Sequence, residues 1–108
     1  MKPKDINKRY NIPYGTARYI LKQKLSDDEY ITELRLIKVP KDQNHPEGIR
    51  YTLVLIDKKT GKRIIGFDNF ERKGHHIHIN NIEFPYEFRG IFKLIQDFYK
   101  EVKRVKSK

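Results

Sequence analysis

Four runs of the chain alternate apolar and polar side chains, which is the pattern of β-strands that bury one face. They cover residues 30–39, 50–56, 63–67 and 75–80, and polar or glycine-containing turns separate them. In the run 50–56 both alternating sets are rather apolar, which favours a central position in a sheet. The runs therefore predict a four-stranded antiparallel sheet.

The period changes after Pro85-Tyr86, where apolar residues begin to recur at helical spacing. The apolar positions are Phe92, Ile95, Phe98, Tyr99, Val102 and Val105. A long helix that begins near Ile91 would lay this stripe across one face of the sheet. The prediction is an α+β fold with a four-stranded antiparallel sheet and one C-terminal helix packed on it.

Residues 1–28 read differently from the rest of the chain. Two short helices, over residues 4–10 and 16–24 with a turn between them, resemble a helix-turn-helix. Arg18, Tyr19 and Lys22 would then face nucleic acid from the second helix. A structural lid or a dimerisation arm fits the same pattern. We divide the chain into a short helical N-terminal arm, 1–28, and a main domain, 29–108.

The charge balance is strongly positive, with 24 Lys and Arg against 14 Asp and Glu and a net charge of +10. Such an excess attracts polyanions, and nucleic acid is the commonest polyanion for a small basic protein. RNA is preferred over DNA as the predicted partner; an acidic protein or a merely solvated surface is the alternative. The high charged fraction, 35%, favours a thermophilic source.

Several classes of protein are excluded by what the sequence lacks. It contains no cysteine, so disulfides, thiolate nucleophiles and cysteine-ligated zinc are excluded. No apolar run approaches the roughly 20 residues that span a bilayer, and no signal-peptide core follows the first residues. We predict a cytoplasmic protein without a membrane association.

The stretch 66–79 gathers three of the four histidines in the chain. Within it, Ile77 and Ile79 alternate with His76 and His78, and side chains two residues apart share one face of a strand. If the helix covers the isoleucines, His76 and His78 (the histidine pair) lie on the opposite, open face. A slip of one residue would bury two imidazoles and expose two isoleucines.

Three interpretations of the histidine pair are open. As zinc ligands the pair would need Asp68, His45 or Glu71 to complete the site, since zinc takes three or four protein ligands. As general acid and base the pair could cleave RNA through the 2′-hydroxyl without a metal. The pair could also be a polar outer surface. Our hypothesis is the second one, with no metal and no cofactor.

In that hypothesis the neighbouring residues have distinct roles. Arg72 and Lys73 would hold the phosphate, and Asp68 would orient an imidazole, as carboxylates often do beside functional histidines. The frequency of Asp and Asn in turns favours a different role for Asp68-Asn69, in which the side chains cap their own backbone.

Five segments of the chain form a series of motifs in a fixed order. They are Tyr51-Thr52-Leu53-Val54, Ile64-Ile65-Gly66-Phe67-Asp68-Asn69, Lys73-Gly74-His75-His76-Ile77-His78, Glu83-Phe84-Pro85-Tyr86-Glu87-Phe88 and Leu94-Ile95-Gln96-Asp97-Phe98. This series resembles the TumE-type toxins of prokaryotic toxin–antitoxin systems. The resemblance covers residues 30–105 and departs from the family pattern at Phe67, where a Tyr is usual. The N-terminal 28 residues have no counterpart in these motifs.

The resemblance implies a growth-inhibiting toxin that is neutralised by an antitoxin, typically a helix-turn-helix DNA-binding protein. Metal-independent ribonuclease activity is our extension from the charge and the histidine pair. The alternative function is a small DNA-binding regulator that uses the N-terminal segment. It predicts a homodimer, because one recognition helix reads only a few base pairs.

Overall fold

The computed structural model describes residues 18–69 and 74–107. These residues form a six-stranded antiparallel sheet, in which each strand pairs with the next along the chain, and one helix. The elements are β1 (Arg18–Ser26), β2 (Tyr30–Lys38), β3 (Ile49–Asp57), β4 (Arg63–Asp68), β5 (His76–Ile79), β6 (Ile82–Pro85) and α1 (Ile91–Lys106).

The α+β class and the C-terminal helix are confirmed, and so are the four predicted strands, which correspond to β2–β5. In β3 the residues Tyr51, Leu53 and Leu55 are fully buried, whereas Thr52, Val54 and Ile56 between and after them are half-buried. One face of the sheet therefore packs against α1. The core on that face consists of Leu34, Leu36, Ile49, Tyr51, Leu53, Leu55, Ile65, Phe67, Leu94, Phe98 and Val102.

The strand count of four was wrong, because β1 and β6 add one strand at each edge. Residues 82–85 follow a two-residue turn at Asn80-Asn81, where Asn80 adopts a φ of 55°. β6 then pairs with β5, with Ile79 opposite Ile82. Pro85 ends β6, which is an edge strand. Proline has no backbone N–H to donate, and on the open side of an edge strand no neighbouring strand needs that donor.

The predicted helix over residues 16–24 was also wrong in its described part, because residues 18–26 form β1. The first predicted helix and residues 16–17 lie outside the described residues. β1 pairs with β2 along its length. The hairpin is closed by Asp27, whose Oδ1 accepts hydrogen bonds from the backbone N–H groups of Glu29 and Tyr30. Long-range pairing thus overrides a local helical pattern. The division of the chain at residue 28 stays a prediction.

Asn69 extends the pairing of β4 with β3 through its side chain. Its Nδ2 donates to the carbonyl of Ile49 at 3.0 Å, and its Oδ1 accepts from the N–H of Tyr51 at 3.0 Å. Asn69 is 1% exposed. The turn-capping interpretation is therefore wrong for Asn69, which binds backbone 18 to 20 residues away rather than its own turn.

Candidate functional site

Three ionisable side chains meet on the sheet face opposite α1. The register of β4 and β5 places Asp68 directly across from His76, and His78 across from Gly66. The Nε2 atom of His76 is 2.7 Å from Asp68 Oδ1, and Nε2 of His78 is 3.7 Å from Asp68 Oδ2. The two imidazole rings meet edge to face at 4.8 Å between centroids. We call Asp68, His76 and His78 the acid–histidine cluster.

The short contact between His76 Nε2 and Asp68 Oδ1 calls for one proton between the two atoms. Nδ1 of His76 is 3.0 Å from the carbonyl oxygen of Gly74, and because a carbonyl only accepts, the Nδ1 atom carries a hydrogen. A neutral ring would then point the lone pair of Nε2 at a carboxylate oxygen 2.7 Å away. A proton at that position converts the repulsion into a charge-assisted hydrogen bond.

The face of the histidine pair is as predicted, but its full exposure is not. His76 is only 5% exposed and Asp68 only 3%, whereas the side chain of His78 is 18% exposed. The reason is that β5 is an inner strand and not the edge strand of a four-stranded sheet. β6 pairs with it along that edge, and Pro85 lies directly opposite His76. Access from solvent is therefore better at His78 than at His76.

Arg63 adds a positive charge beside the cluster. Its side chain crosses Gly66, where an added Cβ would lie 2.9 Å from Cδ of Arg63. Gly66 pairs with His78, so glycine leaves room for the Arg63 side chain on this face. Burial lowers the pKa of His78 below its ordinary value, and Arg63 lowers it further against the opposing charge of Asp68. His78 is consequently a neutral imidazole near pH 7.

Glu83 is a fourth member of this surface that the sequence did not single out. It lies opposite His78 in the β5–β6 pair, and its Oε1 is 3.8 Å from Nε2 of His76. The signal was available in the Asn80-Asn81 dipeptide, since two such residues between alternating runs indicate a hairpin. Recognising it would have placed Glu83 beside the histidine pair.

His75 belongs to a different contact on the Tyr51 side of the sheet. Its Nδ1 is 2.8 Å from the hydroxyl of Tyr51, and its Nε2 is 3.1 Å from Oε1 of Glu47. The ring stacks on Phe88 at 4.7 Å between centroids. Burial raises the pKa of Tyr51, so its hydroxyl stays protonated. His75 therefore links Glu47 of the β2–β3 loop to Tyr51 of β3, apart from the acid–histidine cluster.

Of the residues predicted to contact nucleic acid, the three that the structure describes lie away from the cluster. Arg72 and Lys73 lie outside the described residues. Arg18, Tyr19 and Lys22 lie on β1, four strands from β5 in the order of the sheet, which corresponds to about 19 Å at the usual strand spacing. Arg18 and Lys22 are exposed, and the Lys22 ammonium lies 5.0 Å from the ring centre of Tyr19.

Phe67, where the family motif usually has Tyr, is also separate from the cluster. It is buried on the helix face and packs edge-on against Phe98 at 5.8 Å and against Tyr86 at 5.3 Å between ring centroids. A hydroxyl at this position would lie within the core side of the sheet. Phe67 therefore lies on the opposite face of the sheet from the acid–histidine cluster.

Fold and site together define a small basic α+β protein that carries a half-exposed histidine and a buried acid–histidine pair on an open sheet face. A family model described as Toxin TumE matches residues 5–106, so the chain belongs to the TumE toxin family. The family predicted from the motifs is confirmed, and the match includes most of residues 1–28. Membership makes the chain a toxin of a toxin–antitoxin system, with an antitoxin as its partner.

No curated protein and no solved structure matches the chain. Within residues 18–69 and 74–107, the helical structure is too short and too polar to cross a membrane. Among the same residues, Asp68, His76 and His78 form the group with donor atoms close enough to hold a metal ion.

Proposed function

We propose that this toxin cleaves RNA by metal-independent proton transfer at the acid–histidine cluster. The observation that carries the proposal is the placement of His76, whose Nδ1 is held by the Gly74 carbonyl while its Nε2 lies 2.7 Å from Asp68 Oδ1. A proton shared between Nε2 of His76 and Oδ1 of Asp68 supports the role of His76 as the proton donor. The neighbouring His78, with its lowered pKa, supplies a neutral imidazole. Two groups with opposite protonation are what general acid–base catalysis requires.

The reaction follows from these roles. His78 accepts the proton of the ribose 2′-hydroxyl, and the 2′-oxygen attacks the adjacent phosphorus. The bond between phosphorus and the 5′-oxygen breaks, and the leaving oxygen takes the proton that His76 Nε2 shares with Asp68 Oδ1. Asp68 orients the His76 ring and stabilises its charged form. The products are a 2′,3′-cyclic phosphate and a 5′-hydroxyl end, so a DNA strand without the 2′-hydroxyl is not a substrate.

Positive charge near the cluster supports a phosphate-bearing substrate. Arg63 lies beside His78 through its path over Gly66. Arg72 and Lys73 precede Gly74, whose carbonyl holds His76, so they are close in sequence to the site and are our candidates for phosphate binding. The net charge of +10 favours RNA over an uncharged substrate.

The test uses induced expression in a bacterial host together with purified protein. We expect growth arrest and fragmented RNA from the wild type and neither from His76→Gln or His78→Gln, with circular dichroism showing that both variants are folded. Purified protein should cut an RNA oligonucleotide in excess EDTA and leave its 2′-deoxy counterpart intact. Arrest with intact RNA, or cleavage that EDTA abolishes, would reject the proposed mechanism.

A matched control separates β1 from the chemistry. The double variant Arg18→Ala/Lys22→Ala removes two exposed positive charges about four strands from the cluster. We expect it to bind RNA more weakly, with a smaller salt dependence, while a saturating RNA concentration restores the cleavage rate. An equal loss of the maximal rate would place these residues in the reaction. The alternative of a DNA-reading helix is not supported at Arg18, Tyr19 and Lys22, because they lie on a strand.

The family relationship carries two further expectations about partners. We propose that the antitoxin is a helix-turn-helix DNA-binding protein that acts in the cytoplasm, and that its co-expression restores growth. Light scattering after gel filtration tests the homodimer that the regulator hypothesis predicts; a monomer would remove that hypothesis, because it needs two reading units.

A further inference from the structure

We infer that the acid–histidine cluster also binds one divalent transition-metal ion, with zinc as the best-suited species, and that this ion inhibits the proposed cleavage. The inhibition rests on the proposed function; the binding does not. The binding follows from the placement of three donor atoms, since Nε2 of His76 lies 2.7 Å from Asp68 Oδ1 and Nε2 of His78 lies 3.7 Å from Asp68 Oδ2.

The hydrogen bond from His76 Nδ1 to the Gly74 carbonyl is the first argument. Histidines that bind metals through one nitrogen commonly donate the other N–H to a backbone carbonyl or a carboxylate, which fixes both the tautomer and the ring orientation. Here the partner is outside the cluster, at 3.0 Å, and it directs Nε2 toward Asp68 and His78. His76 is thus prepared as a ligand before any ion arrives.

The spacing of the donor atoms is the second argument. One ligand atom from each of Asp68, His76 and His78 lies within 4.8 Å of the other two. Zinc binds nitrogen and oxygen at about 2.0–2.2 Å, so its ligand atoms lie about 3–4 Å apart. The cluster reaches this geometry through side-chain movements of about one ångström, well within the range of a χ rotation.

A nearby carboxylate and the donor types select the class of metal. Glu83 Oε1 is 3.8 Å from His76 Nε2, and Glu83 is 40% exposed, so it can move in as a fourth ligand. Two imidazoles with one or two carboxylates suit zinc, cobalt, nickel or iron, whereas magnesium and calcium prefer oxygen ligands alone. The positive charge of Arg63 opposes an ion, and the two carboxylates offset it.

Metal binding and proton transfer exclude each other at these atoms. A bound ion occupies the lone pairs of the histidine nitrogens, so His78 cannot accept a proton and His76 cannot carry one at Nε2. The toxin would then be active only without the ion. A cell that controls its free zinc could hold the protein inactive independently of the antitoxin.

Binding is tested on purified protein without RNA and with any purification tag removed. Co²⁺ serves as a visible-absorption probe, and Zn²⁺ as its competitor, with calorimetry giving the stoichiometry. We expect one Co²⁺ per chain, displaced by Zn²⁺, and affinity at least about 10-fold weaker in Asp68→Asn and in His78→Gln. His75→Gln is the matched control: it removes an adjacent imidazole that faces Tyr51 and Glu47, and binding should be unchanged.

The outcomes separate the two proposals. Unchanged Co²⁺ binding in folded His78→Gln, or equal weakening in His75→Gln, would overturn the metal site. His78 is half-exposed, so this variant decides the matter even if Asp68→Asn does not fold. Zn²⁺ that leaves cleavage unchanged or accelerates it would overturn the inhibition. Specific Co²⁺ binding with no RNA cleavage by the metal-free protein would reject the proposed function and keep the metal site.

Discussion

Replacing Asn69 with Ala removes the side chain that joins the end of β4 to β3. The side chain makes two buried hydrogen bonds, one to the Tyr51 N–H and one to the Ile49 carbonyl, and the residue is 1% exposed. Alanine leaves both backbone groups without this partner. Because the site is buried, water cannot easily take the place of the Asn69 amide. Each of the two backbone groups then stays buried without a hydrogen-bond partner, which destabilises the fold.

The expected loss of stability follows from those two groups. A buried donor or acceptor that loses its partner costs about 1–3 kcal/mol, so Asn69→Ala should lower the free energy of unfolding by about 2–4 kcal/mol. A domain of this size has about 5–15 kcal/mol in total, so the variant should still fold. Asn69→Asp keeps the acceptor for Tyr51 but places an oxygen against the Ile49 carbonyl, and it should be at least as unstable at pH 7.

Urea unfolding followed by far-ultraviolet circular dichroism measures both variants, since the chain has no tryptophan for fluorescence. The slope against urea should stay that of the wild type while the midpoint falls. The Asp variant gives an internal check. When the carboxyl of the Asn69→Asp variant is protonated, it can again donate a hydrogen bond to the Ile49 carbonyl. Burial favours this neutral form, so the variant is more stable at low pH. The difference in free energy of unfolding between this variant and the wild type should therefore be smaller at pH 5 than at pH 7.

Asn44→Ala is the matched control, because Asn44 is exposed in the β2–β3 loop and its backbone N–H, which alanine keeps, donates the hydrogen bond to Asp42. It should change the free energy of unfolding by less than about 0.5 kcal/mol. A loss below about 1 kcal/mol in Asn69→Ala, with an unchanged slope, would refute the role of the side chain as a strand extension.

Three further predictions concern charges and the core. Arg63→Gln should raise the pKa of His78, measured by proton NMR titration, because a nearby positive charge disfavours the imidazolium; an unchanged value would remove Arg63 from the site. The hydrogen bond with Lys106 lowers the pKa of Asp27 from 3.8 to about 2, so its stabilisation is present above pH 3.8 and lost as the pH falls through about 2. Asp27→Asn should therefore lower the Tm at pH 7, with the difference from wild type vanishing near pH 2. Phe98→Ala should cost about 3–5 kcal/mol in urea unfolding, because Phe98 is fully buried against Phe67; a cost below about 2 kcal/mol would mean that α1 repacks.

Alternation within β5 was sufficient to predict the face of the histidine pair. Because Ile77 packs on the helix side, the period of two fixes His76 and His78 on the other side. The contact with Asp68 required the register between β4 and β5, which depends on the length of the intervening loop. The burial of His76 required β6. Its four residues end in proline and are a weak strand pattern by themselves, so the Asn80-Asn81 turn was the stronger signal for this hairpin.

The β1 strand shows the opposite difficulty, in which a local pattern points to the wrong element. Ala17, Ile20 and Leu21 fit the spacing of a helix face, but the backbone of residues 18–26 hydrogen-bonds to β2. The pairing includes a bulge between Tyr19 and Leu21, which disturbs the simple alternation expected of a strand. The local sequence of residues 18–26 does not predict that a partner strand follows after a tight turn at Asp27.

The assignment of acid and base within the cluster follows from the difference in their surroundings. His76 is enclosed, fixed at both ring nitrogens and paired with a carboxylate, so its proton is held in one direction. His78 has more solvent access and a lowered pKa, so it is free to accept a proton. The opposite assignment would make the enclosed His76 the base and His78, whose pKa is lowered, the acid. If the cluster cleaves RNA, the leaving group must therefore lie on the His76 side and the 2′-hydroxyl on the His78 side.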